Sequence, residues 1–349
     1  MKRLTIISKF AWRDNHSALD DERYFDFFIK MGINFRLYTS QYSIDQIRSK
    51  HPENQSNLYS IKNTPIEIEA GGRVIFLGYS ELDVITFLGR NLPSRPRLIL
   101  VATNNFSSKR VKRRYWALKL FFQFVKPFLD RLVLHTEYER ALVARLDHEV
   151  AQKSYVKKHH LMTPINIESD GSGGKLIISY FGPMKHDKPI SPFLNLIRAD
   201  IERRFHYRIY NVNPTILAKY FPDLKCRINV EVIDVWQSYA SYLRSIKEST
   251  LIFLAHNRAF EGKLSGNLCD CFALQVPYIA QVMEPMTSYE SMYGPLGYLF
   301  DLEDSNWVSC FLDNFSTEFC AEMSLNLKSV ANFYSKEKID ADLAACFLK

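Results

Sequence analysis

Short apolar runs alternate with longer periodic segments along most of the 349 residues. In the first half the runs fall at 4–8, 35–39, 74–77, 98–102 and 132–136. Between them lie stretches with helical periodicity: 22–31, stopped by Gly32, 81–88, stopped by Gly89, and 137–146, which follows Thr136 as an N-cap. Strand, helix, strand is the pattern of a parallel sheet wrapped by helices. The second half repeats it more cleanly. Residues 176–181 are almost wholly apolar, as in a strand buried on both faces. Further strands are predicted at 206–210, 228–232, 251–255 and 277–282, and helices at 192–204, 235–246 and 265–274. This is the order a doubly wound nucleotide-binding domain needs. From 316 onward the chain reads as helical.

The run Asp170-Gly-Ser-Gly-Gly174 is the most glycine-rich of the chain. It reads as a hinge between two domains, or as a surface loop inside one large domain. The length favours two domains. The expected division is 1–169, a hinge at 170–174, a second domain at 175–325 and a C-terminal helical segment at 326–349.

Composition narrows the class. With 47% hydrophobic and 24% charged residues the chain is an ordinary globular mixture. A net charge of +7 favours anionic partners such as phosphates or acidic membrane surfaces without pointing to nucleic acid. The cysteines, Cys226, Cys269, Cys271, Cys310, Cys320 and Cys346, form no CxxC pair and no zinc spacing with neighbouring histidines. They read as free buried thiols of a cytosolic protein. The first residues hold too short an apolar stretch for a signal peptide, and no window approaches the ~20 apolar residues of a membrane span. The expected location is the cytoplasm, with the inner face of the cell membrane as a peripheral site.

Two segments carry candidate chemistry. The first is Phe181-Gly-Pro-Met-Lys-His-Asp-Lys188, between a strand and a helix. Gly182 lets a phosphate approach the backbone, and Lys185 and Lys188 neutralise a diphosphate; alternatively this is a plain loop with solvated lysines. The second is His256-Asn-Arg-Ala-Phe-Glu-Gly-Lys-Leu-Ser-Gly266, followed by Asn-Leu-Cys-Asp270. Ser265 and Gly266 stand where a helix starts, whose free N–H groups and dipole suit a phosphate. Lys263 adds charge, and Asp270, a turn on, is placed to accept ribose hydroxyls. The competing reading is ordinary capping by Ser265 with Asp270 in the early turns.

The run Glu261-Gly-Lys-Leu-Ser-Gly-Asn-Leu-Cys-Asp-Cys-Phe-Ala-Leu-Gln-Val-Pro-Tyr-Ile-Ala280 resembles the donor-site signature of GT-B glycosyltransferases. There a glycine-containing loop enters a helix bearing an acidic residue and leads to a G-x-P-x-I strand. Gln275 stands where that motif has its usual glycine. Residues 181–188 resemble the family's first donor-domain loop: Gly182 and Lys188 match, Pro183 occupies the arginine position, and Lys185 is a substitute. Glu261 matches the first of the two glutamates of the commonest retaining branch, and Asp270 holds a shifted second position. The resemblance covers the second half; in the first half it is architectural. It implies an α/β chain of two Rossmann-like domains facing across a cleft, the first binding an acceptor and the second a nucleotide sugar, with a terminal helix packing back on the first domain. The implied activity is metal-independent transfer of a sugar to a glycan or lipid-linked acceptor in surface polysaccharide synthesis, with no cofactor beyond the donor.

On the acceptor side, Asp14 and His16 follow the first strand. Either suits the general base of an inverting transfer, or belongs to a polar loop capping the next helix. A retaining transfer needs no such base. His135, Glu137, Asn104 and Asn105 lie at other strand ends. Residues 109–129 form a basic, aromatic helix in which Val111, Tyr115, Leu118, Phe122, Val125 and Leu129 share one face, widened by Phe121. That face lies either in a membrane interface or in the core of the first domain. Pro127 ends or kinks the helix. The alternatives to a transferase are a sugar-nucleotide epimerase of like architecture and a non-catalytic nucleotide- or sugar-binding protein. The absence of GxGxxG and GxxxxGK[ST] disfavours a dehydrogenase and a P-loop nucleotidase.

Overall fold

The computed structural model describes residues 3–8, 16–102, 105–157, 174–182, 188–210, 212, 215, 217, 222, 227–234, 239–333 and 336–348, without the side chains of 16–20, 108, 239, 333 and 336. The chain divides into two compact units: Met1–Leu161 together with Glu337–Lys349, and Met162–Lys336. Most of the expected hinge at 170–174 lies outside the described residues; only Gly174 is described.

The first unit carries seven strands: β1 Leu4–Ile7, β2 Phe35–Thr39, β3 Leu58–Ser60, β4 Arg73–Leu77, β5 Arg97–Val101, β6 Leu129–Leu134 and β7 Ser154–Val156. Their order is β3-β2-β1-β4-β5-β6-β7, and every pairing is parallel. The second unit carries β8 Ile177–Phe181, β9 His206–Tyr210, β10 Val230–Ile233, β11 Leu251–Leu254, β12 Tyr278–Gln281 and β13 Gly297–Phe300. They are ordered β10-β9-β8-β11-β12-β13, again all parallel. Both sheets thus run outward for three strands, return, and extend the other way. The reversal falls between β1 and β4 in one unit and between β8 and β11 in the other.

Strand residues alternate between the two faces, and both faces are covered. Val74 and Phe76 enter one core of the first unit while Ile75 and Leu77 enter the other. In the second unit Ile178 and Tyr180 go to one core, and Ile252 and Leu254 to the other. Burial on both sides is why these strands read as continuous apolar runs rather than alternating ones.

Helix starts are fixed by short side chains. Ser40, Ser80, Ser107 and Thr136 each accept the backbone N–H three residues on, at 3.2, 3.2, 3.3 and 3.1 Å. The helix His16–Lys30 stops at Gly32, whose φ of +63° suits a residue without a Cβ. The helix Thr317–Phe333 runs unbroken through position 326. The next helix, Lys336–Phe347, supplies Ile339, Leu343, Cys346 and Phe347 to the core of the first unit. Five of the cysteines are described, and all five are free.

The helix Ser108–Val125 settles which way its aromatic face points. Val111, Leu118, Phe121, Phe122 and Val125 are core residues, so the face expected as an interface is spent on packing. A different stripe is exposed. The helix ends before Pro127. Among the described residues no helix is long and apolar enough to cross a membrane.

Candidate anion-binding site in the second unit

In open doubly wound sheets ligands bind beyond the carboxyl ends of the strands, where the strand order reverses. In the second unit the segments leaving β8 and β11 flank that reversal. β8 ends at Phe181 and the chain passes to Gly182, whose φ is +122° and around which an added Cβ would meet nothing within 4 Å among the described residues. The backbone is therefore open to a ligand on this side. Residues 183–187, and with them Lys185, lie outside the described residues.

β11 delivers Ala255 and then His256. His256 is buried, and among the described residues neither ring nitrogen has a hydrogen-bond partner. Burial, with Lys188 and Lys263 adding to it, pushes its imidazole well below the ordinary histidine range, so it is neutral near pH 7. The ring lies 4.0 Å, centroid to centroid, from that of Phe260. Over the same Phe260 ring stand two ammonium groups, Lys263 at 5.1 Å and Lys188 at 5.8 Å. Among the described residues no carboxylate pairs with Lys263. Two cations on one ring beside an imidazole that cannot take a third charge make a locus that favours an anion.

From this loop the chain turns at Gly262, with φ +78° and its N–H donating to the Glu284 carbonyl at 3.1 Å, and enters the helix Gly266–Leu274. Ser265 is the N-cap residue, yet its hydroxyl caps nothing: it is buried and has no partner among the described residues. This departs from the four Ser and Thr caps described above. An unbonded buried hydroxyl is costly, and here it stands at the positive end of a helix dipole. Asn267 donates to the Phe181 carbonyl at 3.3 Å, tying the helix start to the end of β8.

Asp270 is buried in the same helix, and one carboxylate oxygen accepts the Tyr242 hydroxyl at 2.8 Å. The Tyr242 ring meets Phe181 edge-on at 5.2 Å, and Phe181 stacks on Tyr210 at 4.4 Å. Glu261 is half buried, and its charge acts on Arg258, which pairs with Asp301 at 2.8 Å. The helix closes at Gln275 in the left-handed conformation, φ +59° and ψ +38°.

Of the residues singled out in the sequence, Lys188 and Lys263 meet at Phe260, and Gly182, Ser265 and Gly266 stand on the adjoining strand end and helix start. Asp270 accepts from Tyr242, and Glu261 contributes to the field at Arg258. His256 and Phe260 also belong to the site, and both lie within the segment 256–266. The signal for His256 was its place as the second residue after a buried strand.

In the first unit Asp14 and Asn104 lie outside the described residues, as does the side chain of His16. Asn105 is buried and donates to the Tyr79 carbonyl at 3.1 Å. His135 is buried, its imidazole lowered to about 3 by burial and by Lys157. Glu137 is exposed, 3.5 Å from Arg140. Glu139, two residues on, is buried: it accepts the His135 N–H at 2.7 Å, leaves its other oxygen unbonded, and is pushed up to about 8 by burial. Among the described residues no group of three or more His, Cys, Asp or Glu is placed to hold a metal.

No family model matches the chain, and no curated protein matches it in sequence. Solved structures do match in shape over nearly the whole length. Anabaena HepE in complex with UDP superposes with a TM-score of 0.65 at 9% identity, covering 99% of both chains. A glycosyltransferase from Rickettsia africae gives 0.68 at 9% identity, covering 99% of this chain and 98% of its own. The apo lipopolysaccharide outer core galactosyltransferase WaaB gives 0.66 at 13% identity, covering 99% of both. With its two parallel sheets and interleaved helices, this chain matches these structures in architecture and has the GT-B fold of glycosyltransferases.

Proposed function

We propose that this chain is a glycosyltransferase that binds a nucleotide-sugar donor through its second unit. The observation that carries the reading is the pairing of two unbonded buried polar groups, the His256 imidazole and the Ser265 hydroxyl, with two ammonium groups at the point where the sheet reverses. A diphosphate satisfies all four. Its oxygens accept hydrogen bonds from Ser265 and from the first N–H groups of the helix Gly266–Leu274, one imidazole N–H donates to them, and Lys188 and Lys263 neutralise their charge.

The same groups assist the reaction. As the bond from the anomeric carbon to the diphosphate breaks, negative charge grows on the leaving oxygen. Fixed donors already in place there stabilise it. The electron pair of the acceptor hydroxyl forms the new glycosidic bond, and its proton leaves to a base. Asp14 and His16 are the candidates for that base in an inverting reaction. Asp270 accepts the ribose hydroxyls, Tyr242 fixing the carboxylate. The acceptor is a glycan or a lipid-linked sugar, in the synthesis of a surface polysaccharide. HepE was crystallised with UDP and with UDP-glucose, which makes UDP the first nucleotide to try.

The test is a thermal-shift screen with UDP, GDP, CMP, ADP and dTDP, with and without magnesium. A ligand bound only by the native state raises the midpoint by mass action. One nucleotide should give a clear shift independent of magnesium. His256→Phe should weaken that nucleoside diphosphate by about tenfold and leave the bare nucleoside unaffected. If every nucleotide leaves the midpoint unchanged, the donor reading is wrong.

A further inference from the structure

The helix Ser108–Val125 contains six lysines and arginines and no acidic residue. Arg110 and Arg114 are engaged with Glu81 of the first unit, at 2.7 and 3.5 Å. Lys109, Lys112, Arg113 and Lys119 make no ion pair among the described residues. Beside them runs an apolar stripe that faces solvent. Trp116 is 72% exposed, Leu120 65% and Phe124 42%. They stand four residues apart, which keeps them on one face over about 12 Å of helix. Lys119 reaches over the Trp116 ring at 5.6 Å, covering one flank of the stripe with its stem and charge.

This arrangement is an oversight in no simple sense. The opposite face of the helix is filled with core residues, so the apolar supply was not short of buried positions. Three large side chains facing solvent in register, with cations along the same face, are the composition of a helix that lies in a membrane interface. Tryptophan and phenylalanine enter at the depth of the headgroups, while lysine and arginine remain among anionic phosphates.

We propose that this face of the first unit docks on an anionic lipid surface, with Trp116, Leu120 and Phe124 inserted and Lys109, Lys112, Arg113 and Lys119 on the headgroups. The charge pattern selects this occupant. A twofold contact with a second copy would bring the same four cations against themselves. A nucleic-acid backbone would satisfy the cations and leave the three apolar side chains in water. The surface belongs to the first unit and the donor site to the second, so the two readings stand or fall separately.

Flotation with vesicles of phosphatidylcholine alone and of phosphatidylcholine with phosphatidylglycerol tests it. The protein should float with the mixed vesicles at low salt and release at high salt. Replacing two charges, Lys112→Gln with Arg113→Gln, should lower partitioning about thirtyfold, each basic residue near such a surface being worth about fivefold. Trp116→Ser, Leu120→Ser and Phe124→Ser together should lower it at least tenfold with the circular dichroism unchanged. The triple variant should bind nucleotide as before. Equal flotation of the variants and the parent would overturn the proposal, as would no flotation with either vesicle. A concentration-dependent dimer that the triple variant abolishes, in a protein that does not float, would assign the face to self-association instead.

Discussion

A serine at the start of a helix ordinarily stabilises it by about 1 kcal/mol, through a hydrogen bond that alanine cannot make. Ser265 makes no such bond. Ser265→Ala should therefore leave the free protein as stable as before, or slightly more so, since a buried hydroxyl without a partner is removed. It should weaken nucleoside diphosphate binding about fivefold. Ser80→Ala, at a cap that is used, should cost about 1 kcal/mol and leave binding alone. Urea melts of the two variants and a nucleotide titration separate the roles; a matching loss of stability in both would return Ser265 to ordinary capping. Glu139 gives the second prediction at this scale. Its carboxyl is held at about 8 instead of 4.5. The folded state thus keeps a proton that the unfolded state gives up. The stability this supplies is complete below pH 4.5 and is lost as pH rises through about 8. It amounts to about 5 kcal/mol at most. The urea midpoint should fall from pH 5 to pH 8, and Glu139→Gln, which cannot ionise, should flatten that slope. Residue types in the sequence mark Gly182, Lys188, Lys263 and Gly266, which the fold brings to the candidate site. They did not separate a serine that caps from one that does not, nor Glu139 from the exposed Glu137, because both distinctions depend on what tertiary packing leaves unbonded.

Elements were legible in proportion to their burial. Strands such as β4, β5, β8 and β11 are covered on both faces and flanked by neighbours, and they stand out as apolar runs. The three strands absent from the pattern, β3, β7 and β13, are all sheet edges of three or four residues. An edge strand pairs on one side only, so short or polar sequences such as Ser154–Val156 suffice and no long apolar run is required. The helix Gly266–Leu274 shows the opposite case, a boundary located correctly with an unexpected residue at it. Its C-terminal turn is left-handed at Gln275, whose N–H caps the Cys271 and Phe272 carbonyls. A side chain there costs roughly 1–2 kcal/mol that glycine avoids, and glycine's greater freedom in the unfolded chain offsets about half. Gln275→Gly should therefore stabilise the second unit by about 0.5–1 kcal/mol, raising its melting midpoint by about 1–3 °C. Calorimetry with and without nucleotide checks this. A lower midpoint would mean that the Gln275 side chain makes a contact worth more than the strain.

At the scale of the whole chain, the order of elements in sequence and the membership of the compact units part company at the end. Periodicity alone reads residues 175 onward as one continuing domain with a helical tail, while the resemblance to GT-B enzymes implies a terminal helix packed on the first domain; residues 337–349, nearly all of the helix Lys336–Phe347 and the chain end, are grouped with the first unit. Nothing local in that helix says which core will receive it. What fixes it is complementarity. Ile339, Leu343, Cys346 and Phe347 fill a core built mostly from β1, β2 and their helices, with Phe347 against Tyr24 and Phe28 at 5.7 Å each. Tyr155 donates to Asp342 at 2.6 Å, Lys30 pairs with Asp340, and Arg131 and Arg73 donate to the last carbonyls of the helix, Cys346 at 3.1 Å and Phe347 at 3.4 Å. Guanidinium groups at a helix C-terminus satisfy its free carbonyls and its dipole together. Burying those four side chains contributes about 6–10 kcal/mol, which is comparable to the stability of an entire domain. Deleting residues 337–349 should therefore unfold the first unit although the cut is made at the far end of the chain. The second unit has its own two cores, composed wholly of its own residues, and should keep its fold and its nucleotide. Hydrogen exchange read by mass spectrometry distinguishes the outcomes: amides of β1–β7 lose protection while those of β8–β13 retain it, and a nucleotide still slows exchange around Ser265. Uniform protection in the shortened chain would show that the terminal helix is an accessory to the first core rather than part of it.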